Sequence, residues 1–476
     1  MEQNFDVVII GSGTAGCFFA HEMAEQGYSV CVIDKSPPEQ LGQRLQIFHV
    51  DKLIFEKLGI PRPEPGDPDY RNEFQVGTYY SPYGQYMERN DGTQTIVKAD
   101  YPFLVCSLPP FLKRLRAWCQ DAGVTFADEV EFTGFIYNEQ GHICGIHAVQ
   151  RGEPVDFGSR LVADCSGIPS VGRRALKKPT RVPDFEIGPR DMMYVLLEYV
   201  KLAHPERDAP KCAEHWAYYK GWIAQTGEPD VAIFGTGANL SYEYAQTCFE
   251  RFKKNVCMPE GTVIRRERGV TPYHPAPYSM VDNGFICMGD SACMTKWIGE
   301  GISSGWVGCR YAAQAAAEAM RGGQYPTEER LWPYNVKYNT TQAADFAYIV
   351  ATAINAVDCS ADEMDYEFRK GIVFNDKAMT NMNRNWNADM PVGDALALVG
   401  KVAVGAVTGK IRPKTVGLLL RGIWYATLLK SHYKKFPQDI ARYSRWAQRC
   451  DKLWEKTGNM ADVTERCEAR MKNAGN

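Results

Sequence analysis

At 476 residues the chain is longer than a single hydrophobic core usually grows, so two or three lobes are expected. Its 54 Lys and Arg against 57 Asp and Glu leave a formal net charge of −3, which excludes a global polycation and gives no reason to expect a nucleic-acid partner. The 15 cysteines show neither CxxC pairs nor the Cys/His spacing of a zinc site, and the 8 histidines show no HxxxH pattern, so no metal is assigned and the thiols are expected reduced and buried.

The chain opens with "FDVVIIGSGTAG", which predicts a strand over Val7 to Ile10, a tight turn from Gly11 and a helix after Gly16. This strand begins too early to leave room for a basic, then apolar, secretory leader, and a cytoplasmic protein is expected. A second buried strand, Tyr28 to Ile33, ends in Asp34, about twenty residues beyond the glycines. That spacing is the one a dinucleotide-binding βαβ unit requires. Gly11 permits the turn, Gly13 admits a pyrophosphate to the backbone amides, Gly16 lets helix and strand pack closely, and Asp34 is placed to accept from a ribose hydroxyl. The motif does not distinguish NAD from FAD.

Further along, "PPFLKRLRAWCQDAG" has the apolar spacing of an amphipathic helix capped by Gly123. Short alternating strands follow, with turn signals at Asn138 to Gly141 and at Gly152 to Pro154, then a buried strand over Arg160 to Ala163 that ends at Asp164 in "DCSG". The stretches "DMMYVLLEYV", "DVAIFGTG" and "TVIRRERGV" predict a separate sheet, joined partly by the helix-like "SYEYAQTCFERFKKNV". Tyr194, Trp216, Tyr218, Tyr219 and Trp222 there suit a long hydrocarbon, an aromatic ring, or simply sheet core. Phe285 to Met288 is a short strand with Gly289 and Asp290 at its carboxyl end, where open α/β sheets bind ligands. Gly299 to Gly301 then precede a long helix over Ser303 to Met320. In the last third, Leu396 to Gln438 carries lysines and arginines but no acidic residue, and no apolar run reaches about eighteen residues. Such a helix pair either lies in an anionic membrane interface, with Trp424 and Tyr425 at headgroup level, or packs on the rest of the chain. The localisation reading is therefore cytoplasmic, with peripheral attachment to the inner face of the cell membrane as the alternative to a wholly soluble state.

Taken together, "GSGTAG" with Asp34, the strand end "LVADCSG", and "ICMGDSA" with "GEGI" before a long helix resemble FAD-dependent oxidoreductases of the para-hydroxybenzoate hydroxylase fold. Within that fold they look most like the geranylgeranyl reductase family. The resemblance implies an α/β (α+β overall) protein. A doubly wound FAD-binding, Rossmann-like domain would take residues 1–70, 100–180 and 275–325, a mixed-sheet substrate domain 71–99 and 181–274, and a helical region 326–476. Carried over, Gly11, Gly13, Gly16 and Asp34 would contact the ADP part of FAD and Asp290 the ribityl hydroxyls, and the backbone from Gly299 through Gly301 to Ile302 would lie beside the isoalloxazine ring. Thr14, Ala15, Lys35, Asp164, Gly167 and Gly289 complete the expected cofactor contacts. Arg44 stands where the family often has a basic residue near the flavin and its phosphates, or is a solvated arginine.

The departures from the family pattern bear on the substrate. Aromatic hydroxylases usually carry Asp-Gly where this chain has "DCSG", a form more like the reductases and halogenases. The proline customary after the late Gly-Asp is replaced by Lys296-Trp297, and neither WxWxIP nor YxWxFP occurs. The implied activity is reduction of carbon–carbon double bonds in a prenyl or similar hydrophobic substrate, which needs a proton donor as well as a hydride. Lys296, Glu300 and Cys293 are candidate donors and Trp297 a candidate stacking residue, each with an alternative as packing or loop structure. Rival readings are a monooxygenase or halogenase acting on an aromatic substrate, and a membrane-docked electron-transfer flavoprotein serving a quinone or redox protein partner. The electron donor, NAD(P)H, ferredoxin or another, stays open.

Overall fold

The structure is a computed structural model and describes residues 3–43, 46–87, 96–295, 300–356, 358–386 and 392–473. Strand β1 (Gln3–Ile10), helix α1 (Thr14–Glu25) and strand β2 (Val30–Asp34) form the βαβ start, with β1 and β2 parallel and in register from Val7↔Val30 to Ile10↔Ile33. Their β-branched runs are buried on both faces, which is why they read as continuous apolar segments rather than alternating ones. The chain then crosses to a second sheet through β3 (Ile47–Asp51), α2 (Leu53–Leu58), β4 (Tyr70–Tyr80) and β5 (Ile96–Ser107). Helix α3 (Leu108–Asp121) returns it to the first sheet, where β6 (Thr125–Asp128), β7 (Val130–Tyr137), β8 (Ile143–Gln150) and β9 (Glu153–Asp164) follow.

The separate strand expected over Arg160 to Ala163 is the end of the 12-residue β9. Its first half pairs antiparallel with β8 and its second half runs parallel to β1, with Val162 opposite Val8. After α4 (Val171–Ala175) come β10 (Met192–Leu202), α5 (Pro205–Asp208), β11 (Ala213–Trp216), β12 (Gly221–Gln225), β13 (Val231–Asn239), α6 (Tyr242–Asn255) and β14 (Gly261–Pro272). The second sheet has the order β14-β10-β13-β12-β11-β4-β5-β3. Strands β15 (Val281–Asp282) and β16 (Phe285–Cys287) complete the first, whose main path is β15-β16-β9-β1-β2-β6. The boundaries expected at 70 and 99 therefore need correction. Strand β3 belongs to the second sheet because Ile47 to Asp51 pair antiparallel with Ser107 to Phe103, and β5 begins before residue 100 and runs past it.

Helix α7 (Ile302–Met320) packs along α1, its Trp306 indole donating to the Thr14 carbonyl at 3.0 Å. The helical region follows as α8 (Glu328–Tyr338), α9 (Ala344–Ala356), α10 (Ala361–Lys370), α11 (Asp376–Asn385), α12 (Val392–Val407), α13 (Pro413–Tyr433), α14 (Tyr443–Thr457) and α15 (Met460–Asn473). Glu363 of α10 ties down the α12–α13 turn. It accepts from the Arg412 backbone N–H at 2.8 Å, from the Arg412 guanidinium at 2.6 and 3.0 Å, and from the Thr415 hydroxyl at 2.7 Å.

Candidate functional site

The opening glycines divide by what surrounds them. Gly11 has φ +104°, and a Cβ on it would lie 2.5 Å from the Cys165 carbonyl oxygen; a Cβ on Gly16 would lie 2.0 Å from the Gly11 oxygen. These two let the β1–α1 turn press against the "DCSG" loop. A Cβ on Gly13, in contrast, would meet nothing within 4 Å, because this glycine faces open space at the N-terminus of α1, where unpaired amides favour an anion. The Asp34 carboxylate accepts from the Ser12 amide at 2.8 Å, the Ser12 hydroxyl at 2.9 Å and the Ser36 amide at 2.9 Å, so it also fixes the shape of the turn.

A buried polar knot joins the second and third motifs. Asp164 is fully buried and accepts from the Ser166 amide at 3.0 Å and the Arg173 amide at 2.7 Å. Burial pushes its carboxyl up, against the pull of those hydrogen bonds. The fully buried Arg173 guanidinium donates to the carbonyls of Ser291 at 3.0 Å, Pro183 at 2.6 Å and Phe185 at 2.9 Å, and Ser291 donates to the Asp164 carbonyl at 2.7 Å. Asp164 was expected among the cofactor contacts. Its carboxylate is instead engaged in holding the two loops, while Cys165 and Gly167 border the cavity described below.

At the third motif, Gly289 and Asp290 border that cavity. Asp290 accepts from the Thr295 hydroxyl at 3.2 Å, and burial raises its carboxyl. Thr295 also meets Thr271 of β14 at 3.0 Å, linking the loop to the second sheet. Glu300, Gly301 and Ile302 border the cavity too. Glu300 is buried and accepts from the Ser303 amide at 2.8 Å, so it shapes the start of α7. Cys293 is not brought to this cavity. It adjoins a separate void of about 40 Å³ beside Tyr338 and His274, and burial pushes its thiol up to about 12. Arg44, Lys296, Trp297 and Gly299 lie outside the described residues.

The cavity itself holds about 2690 Å³ and runs from the glycine turns, beneath the second sheet, to α12 and α13. Its sheet wall is formed by Leu197, Ile233, Trp222, His215, Tyr79 and His49, on strands whose register sets His215 opposite both Tyr79 and Trp222. A Cβ on Gly235 would lie 2.2 Å from the Trp222 ring, so that glycine lets the indole lie flat on β13. Among the other aromatics singled out in the sequence, Trp216 also borders the cavity. Tyr194 and Tyr219 are buried in the core with α6.

Tyr79, His49 and His215 are wall residues that sequence reasoning missed. They sit on strands far apart in the chain, and no local pattern marks them. Burial lowers the His49 imidazole to about 4 and that of His215, with the His49 charge as a further cause, to about 3, so both are neutral at physiological pH. Beyond the sheet, Met364, Met379, Leu398, Leu419 and Ile423 supply apolar lining, interspersed with charged residues such as Glu367, Lys377, Asp394 and Lys401.

Ordinary ligand cavities hold roughly 300–1,000 Å³, so this one has room for a large cofactor and a long substrate together. The uncrowded Gly13 and the half-buried Asp290 suit the diphosphate and hydroxylated chain of a flavin dinucleotide. Residues 4–251 match the family model described as an FAD binding domain, a span of more than half the chain. The chain belongs to that family. It is an FAD-dependent oxidoreductase. Over 473 residues the flavoprotein is 22% identical to the digeranylgeranylglycerophospholipid reductase of Sulfolobus acidocaldarius, covering 95% of this chain and 98% of that one. It is 21% identical to the protein of that name from Methanocella arvoryzae, covering 80% and 95% of the two chains. Among solved structures, a geranylgeranyl bacteriochlorophyll reductase-like protein from Thermoplasma acidophilum aligns with a TM-score of 0.68 at 18% identity, covering 89% of the flavoprotein and all of the other chain. A flavin-dependent brominase aligns with a TM-score of 0.58 at 17% identity, covering 86% and 100%. These likenesses establish the fold, which is the one the sequence motifs implied.

Proposed function

We propose that this flavoprotein reduces carbon–carbon double bonds in a prenyl or comparably hydrophobic substrate. The observation that carries the reading is the apolar continuation of the cavity from the glycine turns to the C-terminal helices, far beyond what a single aromatic ring needs. The named activity of relatives that align along nearly the whole chain supports it. FAD, when bound, supplies the hydride.

The chain's own residues do the rest. Gly13 and the first amides of α1, at Thr14 and Ala15, hold the diphosphate, and Asp34 and Lys35 flank the adenosine ribose. Gly289 and Asp290 take the ribityl chain, and Gly167, Gly301 and Ile302 line the ring. The sheet wall orients the substrate and excludes water. Of the proton-donor candidates named from sequence, Glu300 is the one described residue that borders the cavity. The reading extends to contact with an anionic membrane through residues 396–438 and to a redox protein or NAD(P)H as the source of electrons.

The deciding experiment reduces the bound flavin anaerobically with dithionite and follows its reoxidation by geranylgeranyl lipids dispersed in detergent. Reoxidation with loss of a double bond is expected. Silence towards lipids, with rapid reoxidation by oxygen only when an aromatic substrate is present, would replace the reading with a monooxygenase or halogenase.

A further inference from the structure

We infer that the α12–α13 pair is a lipid portal: its outward faces rest among the acyl chains of an anionic leaflet, and a prenyl chain passes between the two helices into the cavity without crossing water. The route rests on the hydrophobic substrate proposed above; the docking does not.

Helix α12 is apolar yet largely uncovered. Val399 is 51% exposed, Val404 57% and Val407 89%, and α13 adds Leu420 at 50% and Trp424 at 63%. Contiguous exposed apolar rows of this kind mark an interaction surface. The helices' other sides line the cavity through Leu398, Val402, Val416 and Leu419, while Val399 and Leu420 are both exposed and cavity-bordering, which puts the mouth between the helices. With 16 residues, α12 is only about 24 Å long. Among the described residues no helix is long and apolar enough to cross a membrane, so the pair lies in the interface rather than spanning it.

Charge selects the occupant. From residue 395 to 438 there are 8 Lys and Arg and no Asp or Glu. Arg412, Lys414 and Lys430 are paired with Glu363, Asp358 and Asp345. Lys401, Lys410, Lys434 and Lys435 form no ion pair among the described residues, and Lys434 and Lys435 stand at the cavity's edge. Two copies of the chain would set these cations against each other, whereas anionic lipid neutralises them.

The test uses the full FAD-loaded chain and vesicles of phosphatidylcholine with or without phosphatidylglycerol. The wild type should co-sediment with the vesicles, more weakly when phosphatidylglycerol is omitted. The double variant Val404→Asp/Val407→Asp, at outward positions that do not border the cavity, should bind roughly tenfold more weakly or worse. It should also turn over a geranylgeranyl lipid embedded in vesicles correspondingly more slowly, while matching the wild type on the same lipid in detergent and in melting temperature. Equal vesicle binding by variant and wild type overturns the portal. So does equal turnover of the embedded lipid, or sedimentation showing a wild-type dimer that the variant disrupts. Failure of the wild type on lipid in detergent would count against the proposed reaction instead, and vesicle binding would still judge the docking.

Discussion

At the scale of single residues, two glycines three positions apart in the same motif, Gly13 and Gly16, make opposite demands. Gly16 is confined by the Gly11 carbonyl, 2.0 Å from where its Cβ would stand, whereas Gly13 has no protein atom to avoid. Gly13→Leu should therefore leave the melting temperature of the FAD-free protein nearly unchanged and abolish FAD retention, measured by flavin absorbance after gel filtration. Gly16→Ala should cost about 1–3 kcal/mol through forced displacement of the turn, or prevent folding. Equal FAD retention by Gly13→Leu and wild type would mean that the diphosphate lies elsewhere. The same scale shows what motif reading confuses. Asp164 ends β9 and Asp290 follows the end of β16 by three residues, each beside a glycine-containing turn, but Asp164 faces its own loop and Arg173, and Asp290 borders the cavity. Strand-end position is legible in sequence; the direction of a carboxylate depends on which neighbours donate to it.

At the scale of elements, the α12–α13 hairpin is held to α10 chiefly through Glu363. Burial alone would raise this carboxyl, but the hydrogen bonds from Arg412, Ser360 and Thr415 outweigh it and hold the group near 2, below its ordinary 4.5. Because the folded value is depressed, the stabilisation is fully present above about pH 4.5 and is lost as pH falls through about 2. Protection factors across 392–433, in which the intrinsic pH dependence of amide exchange is divided out, should fall as the pH is lowered through that window. Arg412→Gln should weaken the anchor by about 2 kcal/mol, less than for a fully buried pair because Arg412 is 46% exposed. Exchange in the hairpin would then speed up at neutral pH while the nucleotide-binding sheet stays protected; unchanged hairpin exchange would mean that apolar packing alone holds it. The helices themselves were legible as a basic, apolar pair within Leu396 to Gln438, while the turn between them, at Thr408 to Arg412, is shown by the structure. Arg412 and Lys414 looked like two more membrane-facing cations, and only their pairing with Glu363 and Asp358 gives them a structural role.

For the whole molecule, the cavity joins the turns of the first sheet to the wall of the second, so a cofactor seated there should couple the two. Loading with FAD at a hundredfold excess over its dissociation constant adds about 2.7 kcal/mol. The melting temperature should rise by a few degrees as one transition. A calorimetric scan in which FAD shifts only part of a split transition would show that the second sheet unfolds independently of the site.

What the sequence determined by itself was set by local physics. Glycine spacing is a steric requirement of a tight turn against a diphosphate, continuous β-branched runs are the mark of strands buried on both faces, and a basic apolar stretch without acids limits what can cover it. From these came the first sheet, FAD as the cofactor and the helical tail. Only the tertiary structure decided which distant segments share a wall. The pairing of β3 with β5 sets the sheet boundary, and the register of β11 beside β4 brings His215 to Tyr79 in the wall that His49 completes. The fold of the "GDSA" turn sends Cys293 away from the cavity, and the anchoring of α12 and α13 leaves their apolar outer faces uncovered. Those outcomes depend on strand order and packing between residues far apart in the chain, and no short window of sequence records them.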